Sequence, residues 1–269
     1  MNRLFILLQF IKKDFAIQKT YKFDNILRFA GIFLQLFLFF FIGKLIGKKP
    51  GVILEVSGGE YFPFVLVGLA FSPLFSFGLS FCSNFLREEV SYGTIENVFK
   101  MPLGVNRILS FMSTGKLLFV LCECLCILAF GFVILEIPFS FIKLIYLVFI
   151  MGVSYMIFFG VGLVAGSFIL LFKRGDPVQW VLINVSDILG GVYFPVALLP
   201  GWIGFISMGI PTTHILFVAR KVILTGAYSE ILIPLIILFI IGVLLIFVGF
   251  YTFGIAFNKV RSKGSLAHF

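Results

Sequence analysis

Apolar residues gather into six long runs separated by short polar stretches, and the length of each run matches a membrane. Crossing a hydrocarbon core of roughly 30 Å takes about 20 residues of helix. The runs lie near Ile26–Ile46, Tyr61–Phe85, Ile108–Leu135, Phe141–Phe172, Val178–Leu198 and Ile231–Phe257. Another apolar stretch, residues 200–217, contains Pro200, Pro211 and several glycines, which interrupt helix. It is expected to form a re-entrant or interfacial segment on the outer side before the last span. The pattern therefore predicts an all-α polytopic membrane protein, with six transmembrane helices in residues 26–257 and a basic cytoplasmic tail at 258–269.

The first 25 residues follow a different rule. Leu4, Leu8, Ile11 and Phe15 share one face at helical spacing, with Gln9 and Lys13 nearly opposite. Such a helix lies in the membrane interface with its lysines toward anionic headgroups. Lys12, Lys13 and Asp14 follow the apolar stretch where a signal peptide needs small residues, so the helix is expected to be retained. The most polar internal segment, 87–107, lies between the second and third spans. Gly93 should end the preceding helix, and Thr94 can cap a new one carrying Asn97 at its third position. Ile95, Val98 and Phe99 share an apolar face while Glu96, Asn97 and Lys100 point elsewhere. Pro102 ends that helix within about two turns. From its residues alone, it is equally well a helix resting on the membrane or a docking element.

Composition excludes the alternatives to a membrane protein. Of 269 residues, 61% are hydrophobic and 12% charged, about half the charge that a soluble domain carries. That is too little to solvate a globular surface and too apolar for disorder. The net charge is +9. With six spans, 15 of the 21 basic residues fall on the side holding both termini, and six (Lys44, Lys48, Lys49, Lys143, Arg220, Lys221) fall on the other. This bias predicts cytoplasmic termini in a cell membrane. The basic residues form no stripe, so nucleic acid is not an expected partner. Cys122, Cys124 and Cys126 lie within an apolar run and Cys82 in another. They are read as buried, inert thiols rather than a metal site. The chain has no G-x-x-x-x-G-K-[ST] phosphate loop. Its two histidines and scattered acids offer no nucleophile–base pair or metal cluster, so no catalytic residue, metal or cofactor is assigned.

Arg87-Glu88-Glu89, Gly93-Thr94-Ile95-Glu96 and Met101-Pro102-Leu103 resemble the cytoplasmic loop of the ABC-2 type permeases, the membrane subunits of ABC exporters. Farther on, Tyr193-Phe194-Pro195, Leu199-Pro200-Gly201-Trp202, Pro211-Thr212-Thr213-His214 and Arg220 resemble the family's stretch between the fifth and sixth spans. Glu89 departs from the family pattern, since Val-Ser follows it rather than a basic run. The resemblance implies a dimeric permease, formed with a second copy or a paralogue, working with two ATP-binding-cassette subunits that bind the ATP and Mg. It implies that Thr94–Met101 is a coupling helix, with ATPase contacts at Arg87, Glu88, Glu89, Thr94, Ile95, Glu96, Phe99 and Lys100. It further implies that residues 200–214 cap an extracellular exit, with Tyr193, Pro195, Trp202 and His214 as gate candidates.

Ionisable residues at membrane depth cost at least about 2.5–3.5 kcal/mol and ask for a role. Asp187 is expected mid-span, with Trp180, Asn184, Gly191 and Phe194 on its face. Those residues either line a substrate path or fix helix packing. Ser72, Ser76, Ser80 and Ser83 make a stripe on the second span open to the same two readings. Glu123, mid-span in the third run, is read as protonated or bonded to a neighbouring helix, because Lys116 is two turns away. Gly162 and Gly166 read as a close helix contact. Tyr61, Trp180, Tyr193 and Trp202 read as interfacial anchors, and His214 reads as a capping or packing residue. The expected function is export of an apolar or amphipathic substrate (a drug, lipid or glycan-lipid). The competing expectation is an ion- or proton-coupled transporter relaying through Asp187 and Glu123.

Overall fold

A computed structural model describes residues 3–47, 60–93, 104–136, 140–172, 176–226 and 228–262. Thr94, Ile95, Glu96, Phe99 and Lys100 of the expected coupling helix lie outside them. The described elements are all helical: α1 (Arg3–Thr20), α2 (Lys22–Ile46), α3 (Tyr61–Ser91), α4 (Val105–Ile134), α5 (Phe141–Phe172), α6 (Asp176–Leu189), α7 (Gly201–Met208), α8 (Pro211–Arg220) and α9 (Leu232–Ser262). A short 3₁₀ turn, Val196–Leu198, precedes α7, and a π turn, Lys221–Thr225, continues α8. Hydrocarbon offers a backbone no hydrogen-bond partner, and a helix is the one local structure that satisfies its own N–H and C=O groups.

Helices α2, α3, α4, α5 and α9 are each long and apolar enough to cross a membrane. The fifth expected span, Val178–Leu198, is α-helical only as far as Leu189: its helix, α6, has 14 residues and reaches about 21 Å. The stretch 200–217 is a broken pair as anticipated, α7 and α8 being bent by 82°. Two long helices also outrun their apolar runs. Helix α3 continues through Arg87, Glu88 and Glu89 to Ser91, where Tyr92 and Gly93 turn the chain, Gly93 at φ +65°. Helix α9 carries the start of the basic tail, Lys259 and Arg261, as its last turn.

Helix α3 is the hub. Almost every apolar residue from Phe62 to Leu86 is buried, because α2, α4, α5, α6 and α8 surround it. Helix α5 sits between α3 and α9. Gly162 meets the backbone carbonyl of Gly78, and Gly166 meets the Cys82 thiol. These contacts make the expected close approach and leave no room for a Cβ. Helices α2 and α9 leave most of their apolar side chains exposed, which is the surface a lipid-facing helix presents. Of the four thiols, Cys82 and Cys124 are buried but Cys122 and Cys126 are exposed. The expectation of four buried thiols is thus half right, because alternate residues of one helix diverge in direction.

Helix α1 lies along the first half of α4. Phe10 approaches Phe111 with ring centroids 6.4 Å apart, and Phe15 approaches Phe119 at 4.6 Å. Phe5, Leu8 and Phe15 stay exposed, as expected of a helix that offers one face to lipid. The residue turned inward is Asp14, seated against Gly115 of α4 with its Oδ2 unpaired among the described residues. Burial pushes the Asp14 carboxyl above its usual range; Lys13 and Lys116 pull it down, and Glu88 pushes it up. A raised folded-state pKa means that the folded chain keeps this proton longer than the unfolded chain does. The contribution is most favourable below the unfolded value of 3.8 and is lost as pH rises toward the folded value. Asp14→Asn is therefore expected to raise the melting midpoint near neutral pH and to change it little near pH 4. Thermal unfolding between about pH 4 and pH 8 checks this, and equal shifts at both ends would refute it.

Candidate functional site

Depth in the membrane is set by where α6 stops. Gly190 and Gly191 follow its last turn, and Gly191 has φ +81°, a conformation that side-chain-bearing residues rarely adopt. The Asp187 carbonyl accepts the Val192 N–H at 3.1 Å. From there the chain runs beside α3 toward its N-terminus without helical bonding. Val192 sits against Gly68, and the Tyr61 hydroxyl donates to the Tyr193 carbonyl at 3.0 Å. Irregular backbone at such depth is tolerated only where protein covers it and meets its polar groups. Arg220 does so from α8. Its Nη2 donates to the Gly191 carbonyl at 2.7 Å and its Nε to the Phe64 carbonyl at 3.1 Å. Its guanidinium lies 3.4 Å from the Phe64 ring centre. Arg220 is 6% exposed, so it belongs to the interior and not to an outer loop where the charge count had placed it.

Below this break a cleft of about 510 Å³ opens between α2, α3, α4 and α6. Its floor is Ser72, Ser76 and Ser80, stacked on successive turns of α3, with Pro73 beside them. Asp187 contributes from α6, Arg28 and Gln35 from α2, and Lys116 and Glu123 from α4, with apolar walls at Ile32, Leu69, Phe77, Phe119 and Ile183. The Ser72 hydroxyl donates to Asp187 Oδ2 at 2.8 Å. Ser72 lies about 17 Å along α3 from Tyr61 at 1.5 Å per residue, roughly half of a hydrocarbon core. Asp187 itself stands in the last turn of its helix, beside Ser72. Glu123 is ion-paired with Arg28 across the α2–α4 contact, the neighbouring-helix bond that the sequence allowed. Lys116 turns toward the end of α3, where it meets Glu88 at 3.0 Å.

The helical face expected on the fifth span divides. Trp180 is exposed, and the Asn184 side chain returns to the Trp180 carbonyl at 2.8 Å. Phe194 lies beyond the break, outside the helical register that would have placed it beside Asp187. Ser83 leaves the serine stripe, bonding the Ser80 carbonyl. Tyr61 and Tyr193 are half-buried against one another, and Tyr193 stacks on Phe39 at 5.7 Å, so contact within the protein replaces the role of simple interfacial anchors. Trp180 and Trp202 do stand exposed. His214 Nε2 bonds the Met208 carbonyl at 2.8 Å, and Thr213 bonds the Ser207 carbonyl at 2.7 Å. Both cap the end of α7 and hold the bend, while Pro195 is buried at the start of the 3₁₀ turn. Arg28, Gln35 and Gln18 were not among the residues read from sequence as lining a path. Arg28 and Gln35 are two polar positions seven apart in an apolar run, a spacing that shares a helix face.

Polar side chains thus converge inside a bundle of helices long and apolar enough to cross a membrane. The family model described as ABC-2 type transporter matches residues 10–224, most of α1 through the π turn after α8. The chain belongs to that family and is the multi-pass permease of an ABC transporter, a protein class that associates with ATPase subunits. No curated protein matches the chain. Among the described residues no group of three or more His, Cys, Asp or Glu is placed to hold a metal.

Proposed function

We propose that this permease is the membrane half of an ATP-driven exporter that moves an apolar or amphipathic substrate out of the cytoplasm. It would do so as a dimer, with a second copy or a paralogue, on two separate ATP-binding-cassette subunits, with both termini in the cytoplasm of a cell-membrane protein. The supporting observation is the continuity of α3 and α4 with the segment between them. Helix α3 ends shortly before residues 94–103 and α4 begins just after them, and both carry cleft residues, Ser72, Ser76 and Ser80 on one and Glu123 on the other. The Glu88–Lys116 pair ties their ends together, and α1 braces α4 through Phe10 and Phe15. An ATPase pushing on that segment would move the cleft walls as a unit and shift the bundle between inward- and outward-open states. No catalytic step is assigned to this chain; hydrolysis, with its ATP and Mg, belongs to the partner.

The test is substrate-sensitive ATP hydrolysis by the purified complex. Glu96→Ala and Phe99→Ala are expected to abolish the stimulation while the complex still assembles on size exclusion. Transport in proteoliposomes driven by an ion gradient without any ATPase would overturn the proposal in favour of a secondary transporter using Asp187 and Glu123.

A further inference from the structure

The cleft holds two basic side chains, and each already has an acid: Arg28 has Glu123, and Lys116 has Glu88. Asp187 has no basic partner among the described residues. It is 9% exposed, lines the cleft and receives one hydrogen bond, from Ser72 to Oδ2. Its Oδ1 is buried with no hydrogen-bond partner among the described residues. A carboxylate so placed is an unfilled acceptor, because a buried charge is stable only when paired and hydrogen-bonded. Around it the cleft is apolar at Leu69, Phe77 and Ile183, with Ser76 and Ser80 below. Its volume of about 510 Å³ is that of a pocket for a drug-sized ligand.

We infer that Asp187, with Ser72, is the anchor for an amphipathic cation carrying a protonated amine. The ammonium N–H would donate to the Asp187 carboxylate, the Ser72 hydroxyl would hold that carboxylate by Oδ2, and the apolar body would lie against Leu69, Phe77 and Ile183. A hydrogen-bond donor is required as well as a charge: Oδ1 is an acceptor, and a charge-assisted bond is about twice as strong as a neutral one. This names the substrate class of the cleft and rests on the exporter reading.

The experiment measures binding to the full-length permease in nanodiscs without the ATPase, so that it is independent of coupling. The probe is quinacrine, a fluorescent amphipathic amine, followed by polarisation and corrected with empty nanodiscs. Saturable binding is expected. Asp187→Asn should weaken it at least about tenfold, Ser72→Ala a few-fold, and Asp187→Glu should retain most of it. Asp24→Asn, an exposed acid on α2 outside the cleft, should leave it unchanged. If Asp187→Asn fails to assemble, competition on the wild-type protein decides. Dodecylamine should displace quinacrine, and N-acetyldodecylamine, the same chain without the charge, should not. Equal binding by Asp187→Asn, or equal displacement by the acetylated amine, overturns the inference. ATP-driven transport that is indifferent to Asp187 would defeat the cation anchor and leave the exporter reading intact. Quinacrine binding as expected in a chain that drives no ATPase-dependent transport would do the reverse.

Discussion

Replacing Arg220 by methionine is expected to lower the melting midpoint of the purified protein by about 5–10 °C. The substitution keeps length and apolar bulk, so what is lost is the fork of N–H groups that reaches the Gly191 and Phe64 carbonyls. Phe64 lies inside α3, where its carbonyl also faces the next turn, but Gly191 stands in the break of the fifth span with no helical partner. Orphaning that carbonyl costs about 1–3 kcal/mol, and losing a desolvated cation–π contact adds up to about 2 kcal/mol. At about 2–4 °C per kcal/mol for a chain approaching this size, a loss near the middle of that total, about 2.5 kcal/mol, gives the stated range. Arg220→Lys keeps the charge and should still destabilise, because a single ammonium cannot span both carbonyls in the guanidinium's fork geometry. The measurement is thermal unfolding monitored by size exclusion. An unchanged midpoint for Arg220→Met would mean that the break holds itself.

The Arg28–Glu123 pair should show an asymmetry. Glu123 is buried on α4, whereas the Arg28 side chain is about half exposed on α2. Arg28→Leu strands a buried carboxylate, a loss of about 3 kcal/mol at the low end of the range for breaking buried pairs. Glu123→Leu strands a guanidinium that can swing toward water or headgroups on its long stem, and should cost less. The double variant should recover part of the Arg28→Leu loss, since two apolar residues leave no charge unpaired. Melting midpoints of the three variants read the effect directly. Equal losses from the two single changes would show that Glu123 is solvated or protonated in the wild-type protein.

Much of this architecture is legible in the runs themselves. Length and hydropathy locate five long helices, and the prolines near 200 and 211 mark the broken pair. The spacing of Gly162 and Gly166 marks the closest packing of α5 on α3. The serine spacing on α3 also survives, because 3.6-residue periodicity holds through an unbroken helix. The expected face on the fifth span fails for the converse reason. Gly191 adopts a positive φ, the helix ends at Leu189, and residues beyond it cannot be placed by helical arithmetic. Arg220 was misplaced on the same ground: a charge next to a lysine and an apolar run reads as a loop charge until another helix supplies carbonyls for it.

The sequence by itself determined the solvent, the helical class and the scarcity of charge, because hydrocarbon forbids unpaired backbone and penalises ions whatever the arrangement of helices. It also carried the motifs of the ABC-2 family, the membership that the match over residues 10–224 establishes. Only the tertiary structure decided how the few intramembrane charges are used. Glu123 and Arg28 lie far apart in the chain, as do Asp187 and Ser72, or Arg220 and Gly191. Each is costly alone and becomes stable through a partner that packing brings within hydrogen-bond reach. Whether a buried polar group is structural or available for a ligand depends on whether its partner is already present. In this bundle Arg220 and Glu123 have theirs, while one oxygen of Asp187 does not.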